Sequence, residues 1–223
     1  MSASYSVLLA ALLGIGALLA GPSRADSHLF REDFDGNAVD TTVWQVQPGD
    51  GLVHVENGTL TLSSPPGEFP SLVTRGDPLE ALTEYVIRAR IRYPLVGCNG
   101  NGFFPQNVYS SPGCHVFRVW QDCHGWWVCA GSGVLKNIGS NETAYHVYEW
   151  QVSGGMATLL IDGLAVDSSP VDAVPVGLAL GHLHPIFGNV GWTELQVDYI
   201  YVDIPTPTRS SSASWGRIKV LYR

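Results

Sequence analysis

Charge is what this 223-residue chain has least of, and basic charge is the scarcer kind. Charged side chains make up 14% of the sequence, with 12 Lys and Arg against 20 Asp and Glu, a formal net charge of −8. The deficit is uneven. Residues 26–204 hold 7 basic side chains and all 20 acids, whereas residues 205–223 hold 4 basic side chains and no acid. A body this acidic lacks the basic stripe that phosphate backbones select for, so nucleic acid is not an expected partner. Amphipathic helix patterns are also missing, the best being one short turn at Pro78–Tyr85 (PLEALTEY). The longest apolar run, Val7–Ala20, has 14 residues, short of the ~20 that a membrane-spanning helix needs. Cysteine is absent outside the segment from Cys98 to Cys129.

What is present begins with that apolar run. Val7–Ala20 (VLLAALLGIGALLA) is followed by Gly21-Pro22 and a small-x-small site at Ser23-Arg24-Ala25, the layout of a secretory signal peptide. Residues 1–25 are therefore expected to be removed, although the segment before Val7 carries no Lys or Arg. Once they are gone no transmembrane segment is expected, and the protein is read as secreted, with cell surface or periplasm as its range. In an exported chain an even cysteine count favours disulfides. Three pairings are open, and Cys98–Cys114 with Cys123–Cys129 is the expected one because each closes a local loop. A zinc site recruiting His115 and His124 is the rival, but no CxxC spacing supports it. Asn57-Gly-Thr and Asn141-Glu-Thr match the glycosylation sequon.

The body, residues 26–204, reads as one all-β domain rich in turns, with 25 Gly and 14 Pro in the whole chain. From Thr83 the residues alternate. Tyr85, Ile87, Ala89, Ile91 and Tyr93 fall on one face, with Glu84, Val86, Arg88, Arg90 and Arg92 on the other, as in a strand buried on one side. Further strands are expected at Cys114–Gln121, Gly125–Ala130, His146–Ser153, Ala157–Asp162 and Val176–Gly181, with hairpin turns at Ser153-Gly-Gly-Met156 and Asp162-Gly163. Beyond Ile204 the composition changes to a Pro- and Ser-rich linker, 205–214, ending in a basic aromatic nonapeptide, 215–223 (WGRIKVLYR). That tail is read either as packed on the domain or as a signal for sorting or surface-attachment machinery.

Four stretches taken together carry a family likeness: Phe30–Trp44 (FREDFDGNAVDTTVW), Val55–Leu62 (VENGTLTL), Ala157–Gly163 (ATLLIDG) and Trp192–Asp203 (WTELQVDYIYVD). In that order the chain resembles the concanavalin A-like lectin/glucanase superfamily, which includes family-16 glycoside hydrolases and laminin-G-like modules. The resemblance covers roughly residues 28–204. It implies an antiparallel β-sandwich of jelly-roll type and leaves function open, because that scaffold carries hydrolases, lectins and adhesion modules alike. It also implies a structural calcium held by backbone oxygens at positions resembling Asp33 and Gly58 and by an Asp resembling Asp198.

Family-16 hydrolases use E-x-D-x-(x)-E on one strand, where alternation brings a nucleophile and an acid/base to one face about 5 Å apart. Tyr85–Pro94 resembles the strand before that motif. The next strand candidate, Cys114–Asp122 (CHVFRVWQD), contains no such acids, and Glu-x-Asp-x-(x)-Glu occurs nowhere in the chain. No catalytic residue is therefore assigned. Aromatics are better supplied: Trp120, Trp126 and Trp127 fall within eight positions, and an indole face suits the C–H side of a pyranose. Adjacent Trp126 and Trp127 face opposite sides of a strand, so at least one of them is expected in the core. The expected ligand-binding residues are Arg88, Arg90, Trp120, Asp122 and Trp126, on the outward face of Thr83–Pro94 and on Cys114–Trp127, which are neighbours by resemblance to the family's cleft strands. The function these features favour is a secreted, non-catalytic carbohydrate-binding or adhesion-type module. The alternative is a glycoside hydrolase or polysaccharide lyase on the same scaffold with a non-standard active site.

Overall fold

A computed structural model describes residues 28–47, 51–65, 71–76, 78–79, 82–97, 102–106, 118–131, 135–171, 177–181 and 192–205. The apolar leader, Cys98, Cys114, His115 and the 215–223 tail lie outside the described residues, as do the side chains of Trp120 and Asp122. Among the described residues there is no helix. The turn expected at Pro78–Tyr85 is a single turn in which Leu82 N–H donates to the Leu79 carbonyl oxygen at 3.2 Å.

Among the described residues fifteen strands build two sheets, and every ladder between them is antiparallel. The first sheet runs β13 (Leu164–Pro170), β12 (Met156–Ile161), β11 (His146–Ser153), β6 (Tyr85–Leu95), β15 (Thr193–Asp203), β4 (Thr59–Ser64) and β3 (Leu52–Glu56). A short β1 (Phe30–Glu32) also joins it, pairing with β15. The second runs β10 (Lys136–Gly139), β9 (Gly125–Cys129), β8 (Arg118–Asp122), β7 (Gly102–Gln106), β14 (Gly177–Gly181), β5 (Ser71–Thr74) and β2 (Trp44–Gln47). This is an antiparallel jelly-roll sandwich, as the strand pattern predicts. β15 is long enough to serve two partners on one edge: Thr193–Val197 pairs with β4, and Ile200–Val202 with β1. The first and last strands are therefore neighbours.

Period-two alternation builds the core. β6 buries Tyr85, Ile87, Ala89, Ile91 and Tyr93 and leaves Val86, Arg88, Arg90 and Arg92 half-buried. The largest fully enclosed side chains, among them Trp44, Trp150, Tyr85, Tyr93 and Tyr148, fill the space between the sheets. Tyr93 ties the layers together by donating its hydroxyl to the Val119 carbonyl oxygen at 3.2 Å. Two hairpins close as their sequences predict. Gly154 and Gly155 have φ of 58° and 74°, and Asp162 and Gly163 have 50° and 80°, the paired positive values that the tight hairpin turn demands.

One irregularity shapes the outer surface. The β15–β6 ladder slips between Val197 and Tyr199, so Asp198 and Tyr199 are both half-buried where strict alternation would send one of them inward.

Cys129 corrects one expectation. It is a fully buried thiol, donating to the Gly131 carbonyl oxygen at 2.9 Å, and does not form the Cys123–Cys129 bridge. It ends β9, two residues before Gly131, which is so close to β13 that a Cβ there would sit 2.4 Å from the Pro170 oxygen.

Truncating Trp150, which is buried at the centre of the first sheet, removes the largest enclosed volume on β11. Trp150→Ala is expected to cost about 3–5 kcal/mol in urea unfolding; a cost below about 1 kcal/mol would mean that the inter-sheet packing is not as described.

Candidate functional site

The sandwich offers two outer faces pointing in opposite directions. On the first sheet the outward residues of β6 meet those of β11 and β15. Arg88 stands directly opposite Glu149 in the ladder and donates from Nε and Nη2 to Glu149 Oε2 at 2.7 and 2.6 Å. Burial disfavours the Arg88 charge, but the Glu149 carboxylate outweighs it and holds the guanidinium above its ordinary value. Arg90 pairs with Asp198. Arg92 donates to Gln196 Oε1 at 2.7 Å. Arg90 and Arg92 both lie over the Tyr145 ring, at 4.3 and 4.7 Å from its centroid. Three like charges in a row thus find their partners within the chain.

Near the β1–β15 seam this face holds a cavity of about 350 Å³, lined by Arg31, Asp33, Asp35, Asn57, Gly58, Asp198, Tyr199 and Tyr201. The three positions that the family likeness marks for calcium, Asp33, Gly58 and Asp198, come together here. Both Asp33 oxygens are engaged: Oδ1 accepts from the Tyr201 hydroxyl and Oδ2 from Arg31 Nε, each at 2.5 Å. Burial alone would raise the Asp33 carboxyl, but Tyr201 and Arg31 outweigh it and hold the group below its usual range. The Tyr201 hydroxyl is pushed up to about 12, by burial first and then by the Asp33 carboxylate. Tyr201 also sits in a stack, with Tyr199 at 4.6 Å on one side and His28 at 4.5 Å on another.

The donor set does not fit a divalent cation in this arrangement. The one carboxylate that the resemblance assigns to the metal, Asp198, is already bonded to the Arg90 guanidinium, and a second guanidinium, Arg31, lines the same cavity. At an effective dielectric of ~20, a divalent and a monovalent cation 4 Å apart repel by roughly 8 kcal/mol. Among the described residues, no group of three or more His, Cys, Asp or Glu side chains is arranged to hold a metal ion.

On the second sheet the outward positions are different in kind. Val119, Gln121, Trp126 and Val128 of β8 and β9 are buried; of the alternate register on β9, Gly125 and Cys129 are buried as well and Trp127 is the half-buried member. Trp127 is half-buried on that outer face, and its ladder partners are Trp120 on β8 and Asn137 on β10. Register position 120 therefore shares a face with Trp127. Across the seven strands of this sheet the sequence supplies one carboxylate, Asp122, opposite Gly125.

At one end of the sandwich a third cluster spans both layers. His146 Nδ1 bonds Asp162 Oδ2 at 2.7 Å, and Nε2 lies 3.1 Å from Glu142 Oε2. Its ring packs against Trp126 with centroids 4.8 Å apart. Asp162 Oδ1 also accepts from Val147 N–H at 2.8 Å. Sequence reasoning missed this clasp: the strand opening at His146 and the Asp-Gly turn at 162–163 were visible separately, but nothing local showed that they meet Glu142 and Trp126.

No protein-family model matches the chain, and no curated protein sequence does. Solved structures do match. An endo-acting O-glycanase expressed by a member of the human gut microbiota aligns with a TM-score of 0.62 at 16% identity, over 79% of this chain and 99% of that one. A β-1,3-glucanase from Mycobacterium marinum aligns at 0.58 and 12% identity, over 81% and 100%. A family-16 glycosyl hydrolase from Mycobacterium smegmatis aligns at 0.54 and 13%, over 79% and 100%. The fold is a concanavalin A-like jelly roll. At these identities the likeness speaks to the fold alone.

Within that jelly roll the expected ligand site divides. Arg88 and Arg90 lie on β6 in the first sheet, whereas Trp120, Asp122 and Trp126 lie on β8 and β9 in the second. The outer faces of the two sheets point apart, so β6 and β8 do not line one cleft. Trp126 is 6% exposed and packs on Tyr148 inside the core, 6.0 Å between centroids, so it is structural. Trp127 is the member of the pair that faces out.

The clasp makes a pH prediction. Burial would raise the Asp162 carboxyl, but the Val147 N–H and His146 outweigh it and hold it below its ordinary value. A carboxyl depressed in the folded state contributes stability above its unfolded pKa of about 3.9 and loses it as pH falls through the lower, folded value. Asp162→Asn should lower the urea midpoint at pH 7, and the deficit should shrink as pH falls through the depressed folded value of the Asp162 carboxyl. A deficit that stays constant as pH falls would show that the charge is not what matters.

Proposed function

We propose that the protein is an exported β-sandwich that binds carbohydrate without hydrolysing it, on the outer face of the second sheet. The observation that carries this reading is the composition of that face. Its strands present the register pair Trp120–Trp127 and only one acid, Asp122. Retaining and inverting glycosidases both need two carboxyl groups flanking the scissile bond. One carboxylate position beside aromatic positions suits recognition instead: an indole covers the apolar face of a sugar, and polar side chains beside it bond hydroxyls. Arg88 and Arg90 leave the binding assignment, because they are paired on the opposite face.

Support for carbohydrate as the ligand class also comes from the similar solved structures, an O-glycanase and glucanases by name. The same names favour the second reading, a hydrolase or lyase whose acids lie in the loops. Export through residues 1–25, and a sorting role for 215–223, belong to the proposal as well; N-terminal sequencing of exported protein should begin at Asp26.

A polysaccharide panel assayed for reducing-sugar release beside a glycan array separates the readings. Retention without release is expected, and release would establish the enzyme. Trp127→Ala should weaken retention by about 1–3 kcal/mol, tenfold or more in affinity, by analogy with other aromatic stacking platforms. Trp126→Ala should instead cost about 3–5 kcal/mol of stability. Unchanged retention in a folded Trp127→Ala variant would remove the site.

A further inference from the structure

The seam between the first and last strands is where the family resemblance implies a metal, and here it is assembled from different chemistry. We propose that Arg31, which lines the β1–β15 cavity, and Arg90, which reaches Asp198 from outside that lining, together stand in the place of a divalent cation, so that the seam closes without metal. The inference does not depend on what the opposite face binds.

Three features of the backbone gather the anions. Phe34 adopts φ of 53°, a left-handed conformation that is rare for a bulky residue. The residues on either side of it, Asp33 and Asp35, both line the cavity. The turn between β3 and β4 brings Asn57 and Gly58 to the opposite wall, with φ of 51° and 72°. The slip in β15 presents Asp198 and Tyr199 together on the outer face. Three carboxylates thus face one small volume, and an unneutralised cluster of that kind repels itself.

The neutralising charges come from two different strands. Arg31 on β1 bonds Asp33 and lies over the Tyr201 ring at 5.3 Å. Arg90 on β6 reaches Asp198 from the far side of β15. β1 is only three residues long and has a single partner strand. The Tyr201–Asp33–Arg31 link therefore anchors the start of the domain to its last strand by side chains, as a bridging ion otherwise would. His28 adds a second link, bonding Asp203 and stacking on Tyr201.

The test uses the full exported chain and two metals, calcium and terbium, because Tyr199 and Tyr201 line the cavity and can sensitise terbium luminescence. Wild type should melt at the same temperature in EDTA and in excess calcium, and should give no saturable terbium signal. Arg90→Gln, and Arg31→Gln with Arg90→Gln, should melt lower in EDTA, gain tyrosine-sensitised terbium luminescence, and recover with calcium. At about a hundredfold excess of calcium over its Kd the recovery should be roughly 5–10 °C. Should the double variant not fold, Arg90→Gln alone decides. Wild type stabilised by calcium, or a terbium signal in wild type that Asp198→Asn abolishes, would overturn the proposal. So would folded arginine variants that show no response to either metal.

Discussion

The alternation of β6 sets the rest of the architecture. This strand lies at the centre of the first sheet, hydrogen-bonded to β11 on one side and β15 on the other. Its inward row of Tyr85, Ile87, Ala89, Ile91 and Tyr93 supplies much of the core, and burial of such side chains is worth roughly 1.5–3 kcal/mol each. Because the period is two, committing that row to the core commits Arg88, Arg90 and Arg92 to the opposite face. Three adjacent cations on one strand face then dictate what flanks them. Glu149 and Asp198 stand beside Arg88 and Arg90, Gln196 beside Arg92, and Tyr145 lies under two of them.

The same arginines link the fold to its seam. Through Arg90, β6 reaches the slip in β15, and through that slip it reaches the cavity that joins the chain's first strand to its last. The first sheet's outer face is therefore taken up with neutralising itself. The strands of the second sheet carry three charged residues, Arg118, Asp122 and Lys136, and its outer side includes the half-buried Trp127. The division of labour follows from composition: a chain with few basic side chains spends three of them on one strand, and their partners are drawn to the same face.

Much of the fold was legible because it is local. The β6 alternation, the His146–Ser153 strand, the Gly154-Gly155 and Asp162-Gly163 turns and the long closing strand all declare themselves in period and turn chemistry. The edge strand β13 was not, since LAVDSSP has neither clean alternation nor β-rich composition. The site was less legible, for a physical reason. β6 and β8 are near in sequence, but between Leu95 and Gly102 the chain crosses from one sheet to the other, and no local signal marks a crossing. Alternation did establish that Trp126 and Trp127 face opposite ways; only packing against Tyr148 and His146 reveals which one is inside. The slip in β15 had a visible trace, since its buried apolar residues run Leu195, Val197, Ile200, Val202, with a spacing of three where two was due.

We infer that the two outer faces have separate tasks, the first neutralising itself and the second meeting ligand. Backbone amide chemical shifts, followed during titration with a glycan that the protein retains, test this most directly. Shifts are expected to be confined to β8, β9, β10 and their neighbours in the second sheet, with the amides of Arg88, Arg90 and Arg92 unmoved. Shifts centred on β6 and β15, with Trp127 silent, would contradict it.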